Sequence, residues 1–183
     1  MIAVCGEVAE RAAGGVSATE IARRAVTAGS FVQLVAIVPD DPEGDRRLLE
    51  LAAAGVGHAA VLRGPNRPLE AADVDLALRY LADVRVVIAI GLEAGPVATA
   101  AERAAWSGAT LLVVVPSSRT AAGAGTAVAA DLPSGAFVLE APRSDPEGTF
   151  AGFVGTLAAG MDAGASPADS WALTTRALAV DPA

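Results

Sequence analysis

The chain of 183 residues contains no lysine, one cysteine and one histidine, and each scarcity excludes a type of chemistry. Without lysine it has neither a Walker-type phosphate-loop lysine nor a Schiff-base lysine. A lone cysteine excludes an internal disulfide, and Cys5 lies in an apolar run typical of a core position. His58 has no cysteine or histidine at ligand spacing, so we expect neither a metal site nor a Ser-His-Asp triad built on it.

Aromatic residues, long apolar runs and basic regions are also scarce. Aromatic residues make up 4% of the chain, and Trp106 and Trp171, each on a predicted helix, are interpreted as packing residues. No apolar run approaches the roughly 18 to 20 residues of a membrane-spanning helix. No secretory signal is recognised, so the cytoplasm is the default location. A net charge of −8 argues against nucleic acid or an anionic membrane as partner, because both require a basic surface.

What the chain does contain is short apolar runs that alternate with helix signals. Runs such as 31–38 and 111–115 are rich in valine, isoleucine and leucine, typical of strands covered on both faces in a parallel sheet. Ser17 and Glu20 predict a capping box at the start of one helix. The stretch Asp40 to Gly44 predicts the cap of a second helix that starts at Asp45, and Gly108 the end of a later one. The alternation predicts one α/β domain over residues 1–183, in three layers, with a mainly parallel sheet of about six strands and helices on both faces.

The stretch from Asp145 to Met161 combines a helix start with small residues. Asp145 is the predicted N-cap and Pro146 the first helical residue. Further along, Gly152 and Gly155 permit close packing against another backbone. Because the N–H groups at a helix start are unpaired, such a position can hold an anion such as phosphate.

This stretch resembles the signature helix of the ribokinase-like (PfkB-type) carbohydrate kinases, in which Gly-Ala-Gly-Asp precedes Thr-Phe and a small-residue run. The match runs through Gly148-Thr149-Phe150-Ala151-Gly152-Phe153. Three further segments follow the order of that family: Gly14-Gly15, Asp40-Asp41-x-x-Gly44 and Gly91-Leu92-Glu93. The resemblance implies a ribokinase-like fold in reduced form, because the span from Gly6 to Gly14 is too short for the family's β-strand lid and the chain after Pro116 is too short for most of its nucleotide site.

The same resemblance places the catalytic aspartate of the family at Gly148, which cannot accept a proton. No catalytic residue is therefore expected, with Glu147 and Asp145 as substitutes only if the protein transfers phosphate. No metal site and no cofactor are expected, and MgATP belongs to the kinase alternative alone. The resemblance implies a ligand site formed by Gly14, Gly15, Glu147, Gly148, Thr149 and Phe150.

Three functions remain open at this point. The first is a kinase-like protein without phosphotransferase activity that binds a small molecule or a protein partner in the former substrate crevice. The second is an active ATP-dependent sugar or nucleoside kinase with a displaced catalytic acid. The third is a structural or interaction subunit, since the loss of a lid would uncover apolar sheet surface and favour a homo-oligomer.

Other candidate residues have a plainer interpretation beside the functional one. Asp40 and Asp41 could bind a metal, but two acids before proline more often form a helix cap and a turn. Glu93 follows a predicted parallel strand, where ligand crevices form, or it is a solvated loop acid. The glycine-rich run 122–126 lacks the frame of a dinucleotide loop and is interpreted as a connection.

Overall fold

A six-stranded parallel sheet with helices on both faces forms the body of the protein. The computed structural model describes residues 1–8, 15–116, 132 and 135–179. The strand order is β3-β2-β1-β4-β5-β6, and every neighbouring pair is parallel. The strands are β1 (Ile2–Cys5), β2 (Val32–Val38), β3 (Gly57–Arg63), β4 (Val86–Ile90), β5 (Thr110–Pro116) and β6 (Phe137–Ala141). The helices are α1 (Ala18–Thr27), α2 (Pro42–Ala53), α3 (Ala71–Tyr80), α4 (Ala94–Ser107), α5 (Thr149–Asp162) and α6 (Pro167–Ala179).

Two separate apolar cores cover the two faces of the sheet. Alternate residues of each central strand point to opposite faces, so Val4 and Ile88 join the core beneath α1 and α5. Their neighbours Cys5 and Ala89 join the core beneath α3 and α4. Burial raises the pKa of the Cys5 thiol to about 12, which keeps it protonated. The predicted three-layer α/β architecture with a parallel sheet is therefore confirmed, and so is the core position of the cysteine.

Local signals predicted most element boundaries. Ser17 caps α1 by accepting a hydrogen bond from the Glu20 backbone N–H at 3.1 Å. Asp41 caps α2 in the same way through the Gly44 N–H at 3.0 Å, so α2 begins at Pro42, three residues earlier than the predicted start at Asp45. α4 ends at Ser107, and Gly108 directly after it has the left-handed conformation typical of a helix C-terminus, as predicted.

The two tryptophans behave differently from each other. The Trp171 ring meets Phe153 edge to face, with ring centroids 5.0 Å apart, and this contact joins α6 to α5. Trp106, in contrast, is 85% exposed on α4. The prediction of a packing role is wrong for Trp106, because the helix periodicity alone did not reveal which side of α4 faces the sheet.

Chain direction in the sheet determines where a ligand can bind. β2 and β4 flank β1, and the chain leaves β1 toward one side before returning to the other side through β4. In open parallel sheets such a reversal opens a crevice at the carboxyl ends of the strands. The loops that follow β1 and β6 both leave from this edge.

Candidate functional site

A cleft of about 760 Å³ lies at the carboxyl edge of the sheet. It is bounded by the loop after β1, the polar side of α1, the inner side of α2, and the turn that precedes α5. Its size is within the range of small-molecule sites. The residues that line it are Val8, Gly15, Ser17, Thr19, Glu20, Arg23, Arg24, Arg47, Glu50, Leu51, Ser144, Asp145, Pro146, Glu147 and Gly148.

Helix α1 supplies the charged side of the cleft because it is strongly amphipathic. Ile21, Ala22 and Ala25 are fully buried against the sheet. Arg23 and Arg24 therefore lie on the side of the helix that faces away from the strands. The cap at Ser17 places this polar side directly beside the turn before α5.

The turn before α5 differs from its prediction in a way that affects anion binding. α5 begins at Thr149 rather than at Pro146, because Gly148 adopts a left-handed conformation with φ of +68°. The Asp145 carboxylate still caps the helix: Oδ1 accepts from the Phe150 N–H at 3.1 Å and Oδ2 from the Ala151 N–H at 2.9 Å. The helix start thus already holds an anion, and it is a carboxylate of the chain itself.

An arginine fills the space in front of Gly148. Arg24 Nε donates to Glu20 Oε1 at 2.8 Å, and its Nη2 donates to the Glu147 carbonyl at 3.3 Å. A Cβ atom added at Gly148 would lie 2.5 Å from Arg24 Nη2 and 3.2 Å from Glu20 Oε1. There is no room at this position for an aspartate side chain unless Arg24 moves.

Arg47 on α2 lies on the opposite side of the cleft and stabilises it through two hydrogen bonds. Its Nε donates to Glu43 Oε1 at 2.8 Å and its Nη1 to the Val8 carbonyl at 2.8 Å, so it ties the loop after β1 to α2. The guanidinium groups of Arg46 and Arg47 lower the pKa of Glu43 from its ordinary 4.5 to about 2. Glu43 therefore stays ionised down to strongly acidic pH and keeps Arg47 in place.

Comparison with known proteins identifies the fold. No protein-family model and no curated protein matches the sequence. The PfkB protein from Polaromonas sp. JS666 has a similar structure, with a TM-score of 0.66, 14% identity, and coverage of 99% of this chain and 96% of the other. The fold is ribokinase-like.

Two further structures agree with that fold. A ribokinase II from E. coli, solved in complex with ATP and Mg²⁺, has a TM-score of 0.60 at 12% identity, with 94% of this chain and 89% of the other covered. A ribokinase from Agrobacterium tumefaciens has a TM-score of 0.56 at 14% identity, with 94% and 87% covered. At these identities the likeness concerns the fold. The strands of the described residues form one parallel sheet, and none belongs to a lid.

The ribokinase-like fold brings three of the six residues expected to bind a ligand to the cleft. Gly15, Glu147 and Gly148 line it, whereas Thr149 and Phe150 do not. Gly14 lies outside the described residues. Gly15 has φ of +82°, and a Cβ there would lie 2.8 Å from the Ser144 Cα, so its part is to let two loops approach each other.

Eight polar residues that the sequence did not mark as site residues also line the cleft, among them Thr19, Arg23, Arg24 and Arg47. A signal for them existed. Thr19 and Arg23 are four residues apart on the polar side of a capped amphipathic helix that follows the glycine pair. In the absence of lysine, arginines in such a position are also the natural anion-binding groups.

The remaining candidates lie away from this cleft. Asp40 pairs with Arg63 at 2.8 Å and Asp41 caps α2, which confirms their structural interpretation. Glu93 and His58 are exposed. The glycine-rich run 122–126 lies outside the described residues. Within the described ranges no group of three or more His, Cys, Asp or Glu side chains is placed to hold a metal ion, and no helix is long and apolar enough to cross a membrane.

The acid behaviour of Glu43 provides a first prediction. Glu43→Gln should lower the free energy of unfolding at pH 7. The difference from wild type should shrink as pH falls from about 4.5 toward 2, because a carboxylate whose pKa is lowered by folding stabilises the protein above its unfolded pKa and loses that effect as it is protonated. Urea unfolding followed by circular dichroism between pH 7 and pH 3 measures this difference. Glu102→Gln, which changes an exposed acid on α4, is the control and should show no such convergence.

Proposed function

We propose that the protein is a non-catalytic relative of the carbohydrate kinases with this fold, and that it binds a small molecule in the cleft between α1, α2 and the start of α5. One observation carries the proposal. By its resemblance to the family's signature helix, the chain has Gly148 where the catalytic aspartate is expected. The guanidinium of Arg24 lies where an aspartate side chain at this position would extend. A cleft large enough for a small molecule lies beside this position, which has no proton acceptor.

The two acids nearest to Gly148 in the chain, Asp145 and Glu147, are poorly suited to replace the missing base. Both carboxylate oxygens of Asp145 accept backbone hydrogen bonds from α5, and proton abstraction would compete with this cap. Glu147 is exposed, and its backbone carbonyl accepts from Arg24. These contacts favour binding over phosphoryl transfer, so no cofactor is proposed, and MgATP enters only with the kinase alternative.

A protein partner is the alternative to a small-molecule ligand. One observation favours an interaction subunit: β6 is an edge strand of the sheet, and its Phe137 and Val138 are 36% and 42% exposed. An apolar edge of this kind can pair with another chain, including a second copy. We propose no role for nucleic acid or membranes, since the net charge is −8.

The test is a thermal-shift screen with MgATP, ADP, inorganic phosphate, and panels of sugars, sugar acids and nucleosides, run alongside an assay for ADP release. We expect no ADP above the background rate and a raised melting temperature with one class of small molecule. A ligand at about 100 times its Kd stabilises the folded state by about 2.7 kcal/mol.

Three other outcomes contradict this proposal. ADP release that requires a sugar and is abolished by Glu147→Gln establishes the kinase alternative. No response to any compound, together with a stable oligomer in light scattering, establishes the interaction subunit. No response from a protein that stays monomeric removes the small-molecule role.

A further inference from the structure

Arg23 differs from the other arginines of the cleft because no protein acceptor for it is found among the described residues. Arg24 is held by Glu20 and the Glu147 carbonyl, and Arg47 by Glu43 and the Val8 carbonyl. Among the described residues no hydrogen bond or salt bridge to the Arg23 guanidinium is found, and its Nε is buried without a partner. Arg23 nevertheless lines the cleft and is half-buried.

A second unpartnered polar atom lies one helical turn away. Thr19 Oγ1 is also buried, with no hydrogen-bond partner in the part of the chain that the structure describes, and Thr19 also lines the cleft. Residues four apart on a helix lie on the same side of it, one above the other. Among the described residues, two neighbouring residues on one side of the cleft thus each carry a buried polar atom without a hydrogen-bond partner. Buried polar groups are normally paired, and an unpaired one costs stability unless a ligand, ion or water satisfies it.

The carboxylates of the cleft are mostly engaged by the protein. Glu20 accepts from Arg24, Glu50 pairs with Arg46, and Asp145 accepts from two N–H groups of α5. Glu147 is exposed to solvent, which screens its charge. The positive charge of Arg23 therefore lies in the cleft without a compensating carboxylate among the described residues.

We propose that the cleft takes a small polyhydroxylated molecule bearing an anionic group, a phosphate monoester or a carboxylate, and that Arg23 binds this group with Thr19 as a second donor. This inference rests on the proposed function and specifies the chemistry of its ligand. The planar guanidinium donates two parallel hydrogen bonds to such a group. A turn of the Arg23 side chain toward the cleft brings its Nε–Nη edge to the ligand and satisfies the orphaned Nε.

The anion binds at Arg23 rather than at the start of α5. The N–H groups of Phe150 and Ala151 already donate to Asp145, so a ligand there would have to displace a charged cap. The hydroxyls of Ser17 and Ser144 also line the cleft and can bind the polar remainder of the ligand.

The experiment is isothermal titration calorimetry with matched pairs of neutral and charged compounds: ribose and ribose 5-phosphate, glucose and gluconate, with inorganic phosphate alone as a further probe. We expect the charged member of a pair to bind more tightly. Arg23→Gln should weaken its binding by about 10- to 100-fold, the usual effect of losing a hydrogen bond to a charged group. Arg176→Gln removes the same charge from an exposed position on α6 and should leave the affinity unchanged.

Two further variants separate the contributions. Arg23→Lys keeps the charge but loses the planar pair of donors, so its affinity should fall between those of wild type and Arg23→Gln. It also serves as the test if Arg23→Gln does not fold. Thr19→Val removes only the hydroxyl and should weaken the binding of the charged compound by about 2- to 10-fold.

The outcomes distinguish this inference from the function on which it rests. If a neutral sugar binds as tightly as its charged partner, the inference is wrong and the proposed function stands. If the charged compound binds but Arg23→Gln and Arg176→Gln have equal effects, Arg23 is not the anion-binding residue. If no compound of either kind binds, the inference fails, and the proposed function fails with it only if the thermal-shift screen also finds no ligand.

Discussion

Gly155→Ala is expected to lower the free energy of unfolding by about 1 to 3 kcal/mol, the range for an overpacked core. A Cβ at this position would lie 2.7 Å from the Ala25 backbone N and 2.7 Å from Arg24 Cβ, where α5 crosses α1. Because the nearest atoms include backbone, the strain cannot be relieved by rotation of a side chain. The two helices must separate, which also displaces the arginines of α1 from the cleft.

Gly152→Ala is the matched control on the same helix. A Cβ there would meet no atom within 4 Å, so the change should stabilise the protein by about 0.5 to 1 kcal/mol through helix propensity. Urea unfolding of both variants at pH 7 measures the difference. Equal stability changes in the two variants would contradict the close packing of α1 and α5.

Gly148→Asp is expected to destabilise the protein by about 1 to 3 kcal/mol and to produce no phosphotransferase activity. The backbone at Gly148 has φ of +68°, which costs a residue with a Cβ about 1 to 2 kcal/mol. The new side chain would also displace Arg24 from the Glu147 carbonyl. A carboxylate placed beside Arg24 would pair with that guanidinium and would be unavailable as a base.

The double variant Arg24→Ala, Gly148→Asp tests this explanation. Removal of Arg24 vacates the space, so the cost of Gly148→Asp should be smaller in the Arg24→Ala background, and a double-mutant cycle measures the coupling. Additive stability changes would show that Arg24 does not compete for this position. Release of ADP by Gly148→Asp alone, with any sugar, would overturn the view that the arginine blocks catalysis here.

Local sequence patterns were sufficient for much of the fold. Valine- and isoleucine-rich runs predicted buried parallel strands because such strands have no exposed face. Ser17 and Gly108 marked a helix start and a helix end because caps depend on neighbouring backbone groups. The stretch from Gly148 to Phe153 indicated the ribokinase-like architecture, and the solved structures of that fold agree.

The candidate site was less accessible to such reasoning. Gly15, Glu147 and Gly148 were expected at the site and do line the cleft, but Arg23 and Arg24 were not expected there. Arg24 lies 123 residues before Glu147, whose carbonyl it contacts. The spacing of residues along a helix indicates which side chains lie on the same face of that helix. It does not indicate which other segment of the chain packs against that face.

The sequence by itself determined the alternation of strands and helices, the two-sided burial of the sheet, and the absence of an acid at position 148. Each depends on interactions within a few residues, or on the presence or absence of one side chain. The tertiary structure alone decided that α5 begins at Thr149, after a left-handed Gly148, and that Arg24 fills the space before Gly148. The Arg24 contact joins segments that are 123 residues apart in the chain, so it arises only when α1 and α5 pack together on the sheet.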